Sequence, residues 1–226
     1  MHPPGAIQAR MRPGVFVSFE GSEGCGKSTQ IQAIRSLLEA RGIRCLATRE
    51  PGGTALGEVI RNLLKYAPEG QGMSAEAELL LFSASRAQLV RERIMPALAE
   101  GQWVLADRFH DSSLVYQGVA RGLGMESVRQ INDLALGDCR PDVTFLLDMD
   151  AATAWERATA VTRGNGQTDR MESEAPDFYE AVRKGYLALA SEEPGRIVVV
   201  PAGRDVAAVR DDIWQTLTQR FHGISG

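Results

Sequence analysis

The chain has 226 residues, 44% hydrophobic and 24% charged, with 29 acidic against 25 basic side chains for a net charge of -4. That length and apolar content suffice for one sizeable packed domain and exclude a disordered chain, while the acidic balance argues against a surface built to neutralise a nucleic-acid backbone. Cys25, Cys45 and Cys139 are scattered and form no CxxC pair, so neither a disulfide framework nor a zinc site is expected, and a reducing, cytoplasmic setting is.

Residues 1–12 read as a flexible N-terminal tail, with two readings open: Met11 as an alternative start, or an added leader that is not native. The tail lacks the apolar centre of a signal peptide, and no run reaches the roughly 18 apolar residues of a membrane span, so no membrane partner is expected. Residues 13–226 read as a single domain without repeats or linkers. VFVSF (15–19) is the first strand, followed by a glycine-rich loop and the amphipathic stretch Lys27–Ala40. IRCLAT (43–48), WVLA (103–106), VTFLLDM (143–149) and RIVVV (196–200) are four more strands. Apolar spacing predicts helices over Leu56–Tyr66, Ala75–Ala99, Met125–Leu136, Ala151–Ala160, Asp177–Ala190 and Val206–Phe221, with Gly42 and Gly101 as stop signals. Strands alternating with helices predict an α/β fold, a five-stranded parallel sheet flanked by helices. VTRGNGQTDRME (161–172) is polar, carries two glycines and lacks apolar periodicity, which predicts a short mobile lid.

The loop FEGSEGCGKSTQ (19–30) matches the phosphate-binding pattern GxxxxGK[ST], with a strand before it and a helix after it. Gly21, Ser22, Glu23, Gly24, Cys25, Gly26, Lys27, Ser28 and Thr29 are therefore candidate ATP contacts. Glycines let successive N–H groups approach phosphate oxygens, Lys27 adds a full charge, and Ser28 offers a hydroxyl to Mg²⁺. No guanine-reading NKxD element and no DxxG occur, which argues against a switch GTPase and leaves a small-molecule kinase, for which a second anion site is needed. TREPGGT (48–54) places Arg49 and Glu50 after the second strand, and ADRFHDSSLVYQG (106–118) places Asp107 and Arg108 at the carboxyl end of the third, where ligands of open α/β sheets bind. Phe82 and Arg86 stand four apart on LLLFSASRAQLV (79–90), so that a ring and a guanidinium could grip one flat ligand. Taken singly, Phe82 reads as core and Arg86 as a solvated or ion-paired surface residue.

FEGSEGCGKST, TREPGGT, LLLFSASR, DRFHDSSLVYQG and RGNGQTDR, in this order over about residues 15–215, resemble the thymidylate kinase family of P-loop nucleoside monophosphate kinases. The resemblance implies a P-loop kinase fold and transfer of the γ-phosphoryl group of ATP to dTMP, with Mg²⁺ as cofactor; besides Ser28, the candidates for its further ligands are Asp107 and Glu23, directly or through water. It implies that Phe82 stacks on thymine, Arg86 bonds its carbonyl edge, and Ser113 and Gln117 complete base recognition. Arg108, helped by Arg49, would hold the acceptor phosphate, Glu23 would approach the 3′-hydroxyl, and Tyr116 would pack beside the deoxyribose. The loop has no arginine of its own, whereas the lid segment has Arg163 and Arg170, as in the bacterial type that takes a catalytic arginine from the lid; with Lys27 and Arg108 these form the candidate catalytic set. Ser113 stands where threonine is common, and Cys25 where alanine is. A homodimer is implied too. Another nucleotide or nucleoside kinase and a non-catalytic ATP-binding module remain as alternatives.

Overall fold

All five apolar runs become strands of one sheet. In the computed structural model, which describes residues 13–165, 176–221 and 224, β1 (Phe16–Glu20), β2 (Cys45–Arg49), β3 (Trp103–Asp107), β4 (Val143–Asp148) and β5 (Ile197–Pro201) lie in the order β2-β3-β1-β4-β5. Every neighbouring pair is parallel. Around the sheet stand α1 (Lys27–Glu39), α2 (Ala55–Lys65), α3 (Ala75–Leu89), α4 (Met95–Ala99), α5 (His110–Ser113), α6 (Met125–Leu136), α7 (Ala151–Asn165), α8 (Pro176–Glu192) and α9 (Val206–Arg220).

β1 is central and buried along its whole length, as its nearly continuous apolar run requires. Alternation sorts its side chains between two layers. Val17 and Phe19 pack with Ile34 and Leu38 of α1 and with Ile213 and Leu217 of α9. Phe16 packs with Leu89, Ile94, Leu98 and Phe109. A third cluster joins Leu146 of β4 to Leu79 of α3, Val128 of α6, and Val182 and Leu189 of α8. After β1 the chain builds β2 and β3 on one side and then crosses β1 to build β4 and β5, so the strand order reverses at β1. The crevice outside the carboxyl ends of such strands is where ligands bind in open α/β sheets. The register sets Arg49 of β2 opposite Asp107 of β3, and Asp107 opposite Phe19 of β1.

Three departures from the sequence expectations have physical causes. The helix expected over Ala75–Ala99 is interrupted by a π-helical turn at Val90–Ile94. Pro96 has no N–H to offer the carbonyl of Glu92 and its ring crowds that oxygen, so the preceding turn widens. His110–Ala120, for which no helix was expected, forms α5 and a π-helical turn at Leu114–Ala120; the wider i→i+5 hydrogen-bonded turn escapes a search for 3.6-residue spacing. The lid expected at 161–172 begins within α7, which continues to Asn165, because extending an existing helix costs less than nucleating one. The remainder of that segment, with Arg170, and the tail 1–12 lie outside the described residues.

Candidate active site

Residues 21–26 join β1 to α1. Gly21 has a φ of 133°, and a Cβ there would lie 2.6 Å from the Leu147 carbonyl oxygen and 2.9 Å from Cys25 Sγ, so the turn demands glycine. Gly26 begins α1 with no side-chain cap, which leaves first-turn N–H groups for an anion. Buried Lys27 folds back across the loop, Nζ donating to Ser22 O at 2.8 Å and Gly21 O at 3.3 Å. Ser28 Oγ donates to Asp107 Oδ2 at 2.6 Å, joining the loop to the end of β3.

Two of the hollows that border this loop draw on different residues of it. The first, a cleft of about 400 Å³, is lined by Glu23 of the loop, by Phe82 and Arg86 of α3, and by Arg108, Ser113, Tyr116 and Gln117 following β3. The second, of about 540 Å³, is lined by Gly24, Cys25, Gly26 and Thr29 of the same loop together with Arg157 of α7 and Arg204 after β5. Successive loop residues thus line different hollows.

The packing defaults for the α3 pair are reversed. Phe82 is only half-buried and lines the first cleft, while Arg86 is 1% exposed. Its Nε and Nη2 reach Glu50 Oε2 at 2.9 and 2.7 Å, Nη1 donates to Asn132 Oδ1 at 2.6 Å, and Nη2 donates to Ser113 Oγ at 2.9 Å. Gln117 Nε2 donates to Glu78 Oε1 at 2.8 Å. Arg108 pairs through Nη2 with Glu23 Oε1 at 3.1 Å and donates to the Tyr116 hydroxyl at 3.0 Å, and its guanidinium lies 5.0 Å from the centre of the Tyr116 ring.

Burial would raise the Glu23 carboxyl, but the charges of Arg108, Lys27 and Lys65 outweigh it and hold the group well below the usual carboxylate range. Burial also drives Tyr116 well above the usual phenol value despite Arg108, so its hydroxyl stays neutral. Glu50 is pushed up to about 7 by burial, which the Arg86 charge only partly offsets. Among the described residues no group of three His, Cys, Asp or Glu could hold a metal. The neighbouring Ser28 hydroxyl and Asp107 carboxylate are hard oxygen donors, few in number, which suits a cation that keeps waters and takes phosphate oxygens.

Arg49 does not line the cleft. It sits at the end of β2 and its Nη2 contacts both oxygens of Glu58, at 3.1 and 2.9 Å. Arg163 lies on the backbone of α7.

A family model described as thymidylate kinase matches residues 19–213. The chain belongs to the thymidylate kinase family. Among curated relatives, a thymidylate kinase of Desulfovibrio desulfuricans is 49% identical over 217 residues, covering 93% of this chain and all of that protein. One of Desulforudis audaxviator is 47% identical over 202 residues, 89% of each chain. The solved structure of a thymidylate kinase from Ehrlichia chaffeensis superposes with a TM-score of 0.73 at 32% identity, covering 90% of this chain and 98% of that one. The chain is accordingly an enzyme, a kinase with the α/β fold of that family.

Four further residues of this family member line the first cleft: Glu50, Pro51, Lys65 and Ser112. The motifs REPGG and DRFHDSS bracket three of them, but Lys65, in the last turn of α2, carries no sequence signal. Tyr186 of α8 is also unheralded: 78 residues separate it from Arg108, to which it is hydrogen-bonded.

Proposed function

We propose that this kinase transfers the γ-phosphoryl group of ATP to dTMP, giving ADP and dTDP. The observation that supports it most is that the phosphate loop borders two hollows, one of them equipped with a half-buried ring, a buried arginine and a second arginine. ATP occupies the second hollow, its phosphates held by the N–H groups of Gly21 to Thr29 and by Lys27. Thymine lies on Phe82, with its polar edge toward Arg86, Ser113 and Gln117. The acceptor phosphate meets Arg108, with Arg49 as an outer charge beside the end of β3. Glu23, kept ionised, accepts from the 3′-hydroxyl, and Tyr116 fills the space a 2′-hydroxyl would need.

Ser28 and Asp107 would hold Mg²⁺, which would offset charge on the phosphate oxygens. An oxygen of the acceptor phosphate attacks the γ-phosphorus, and the bond to the β-phosphate oxygen breaks with its electron pair leaving on ADP. The acceptor's second pKa is about 6, so no strong general base is required, and the protein contributes alignment and charge neutralisation. Arg163 or Arg170 adds charge at the transferring group, and segment 161–172 excludes water. A homodimer belongs to the same proposal, and exposed Leu80 of α3 and Leu134 of α6 supply apolar surface for it. So does a cytoplasmic setting, supported by three free cysteines. Among the described residues no helix is long and apolar enough to cross a membrane.

The direct test is ADP release with ATP, Mg²⁺ and dTMP, omitting each in turn. Turnover should need all three and fall to background with EDTA. ADP release that continues at full rate without dTMP would show an ATP hydrolase instead.

A further inference from the structure

Among the described residues Arg108 is the only one other than glycine with a positive φ, 69°, a conformation that persists only where the surroundings hold it. Those surroundings centre on Glu20, the last residue of β1, which is fully buried. Glu20 Oε1 accepts from the backbone N–H of Phe109, next to Arg108, at 2.7 Å and from Ser18 Oγ at 3.2 Å. Its Oε2 accepts from Ser112 Oγ at 2.6 Å and from the Tyr186 hydroxyl at 2.8 Å. The same two hydroxyls accept from Arg108 Nη1, at 3.1 and 3.2 Å.

A hydroxyl has one proton to give. The two hydroxyls also lie 2.8 Å from each other; when both direct their protons at the Glu20 carboxylate instead, their lone pairs are left for the guanidinium, and in that arrangement Glu20 orients both hydroxyls and, through the Phe109 N–H, the backbone beside Arg108. We infer that Glu20 and Tyr186 are positioning residues for Arg108: the carboxylate and the phenol of α8 hold the guanidinium where it meets the acceptor phosphate. This rests on the proposed role of Arg108. The competing explanation for Tyr186 is packing, since its ring belongs to a buried cluster with Val182 and Leu189. Tyr186→Phe keeps the ring and removes only the hydroxyl.

The test is calorimetric binding of dTMP and of thymidine, which lacks the phosphate, to the full chain, to Tyr186→Phe, to Arg108→Ala and to the double variant. Tyr186→Phe should weaken dTMP about tenfold or more, the scale of one hydrogen bond to a charged group, while thymidine binds as to the wild type. In the Arg108→Ala background it should add nothing. Glu20→Gln should discriminate in the same way, and Tyr186→Phe alone carries the test if that variant does not fold. Equal weakening of dTMP and thymidine, additivity with Arg108→Ala, or wild-type dTMP binding by Tyr186→Phe would each overturn the inference. An Arg108→Ala variant that fails to separate the two ligands removes the role of Arg108 and the positioning inference together. A discriminating Arg108→Ala beside a silent Tyr186→Phe removes only the latter.

Discussion

Arg86 commits donors from all three guanidinium nitrogens inside the protein, to Glu50, Asn132 and Ser113, while lining the cleft proposed for the base. Removing it strands a buried carboxylate, so Arg86→Met should cost about 3–5 kcal/mol of stability near pH 8. The cost should be smaller near pH 6, because Glu50, already pushed up to about 7 by burial, then takes a proton instead of remaining charged. Urea denaturation at the two pH values checks this; equal losses would contradict it. Phe82 is different, being half-buried in the cleft wall. Phe82→Ala should raise KM for dTMP roughly 10- to 100-fold, the value of one stacked base at about 1–3 kcal/mol, and leave KM for ATP unchanged. At this scale the sequence showed which residue types meet, yet solvent exposure was inverted for both, because burial of an arginine depends on partners such as Asn132, 46 residues away.

At the scale of elements, the loop between β1 and α1 was legible because its pattern is contiguous and its glycines have steric causes. Gly21→Ala should drive a Cβ into the Leu147 carbonyl and weaken ATP binding at least tenfold, about 1.4 kcal/mol, by calorimetry; unaltered affinity would contradict that explanation of the turn. The strands were legible from apolar runs, and six helices from their spacing. The stretch His110–Ala120 was not, since most of it is a π-helical turn, and the run through Val90–Ile94 was read as unbroken because Pro96 alone does not say which turn will widen. Tyr186 and Lys65 illustrate a third limit: they reach the site only through the packing of α8 and α2.

For the whole molecule, acid stability follows from a residue outside the cleft. His110 is buried, its Nδ1 has no hydrogen-bond partner, and burial lowers its pKa to about 4 although neighbouring Asp111 pulls the other way. A histidine with a folded pKa below its ordinary value stabilises the fold above about pH 6.5, and that contribution is lost as pH falls through about 4, in total about 3 kcal/mol. Glu50, with a folded pKa raised to about 7, contributes the opposite slope, present below its ordinary value of 4.5 and lost as pH rises through 7. The His110 part is isolated by comparison with His110→Gln, whose stability should depend less steeply on pH between 6.5 and 4; parallel curves would contradict the assignment.

The central claim concerns the acceptor, and it is tested most directly by kcat/KM for ADP release with ATP and Mg²⁺ against dTMP, dUMP, dCMP, dGMP, GMP and thymidine. The cleft of Phe82, Arg86 and Arg108 predicts that dTMP is preferred by a wide margin and that thymidine, with no phosphate for Arg108, is not turned over. A higher kcat/KM with dCMP, GMP or thymidine would contradict the base and phosphate roles assigned to those three residues.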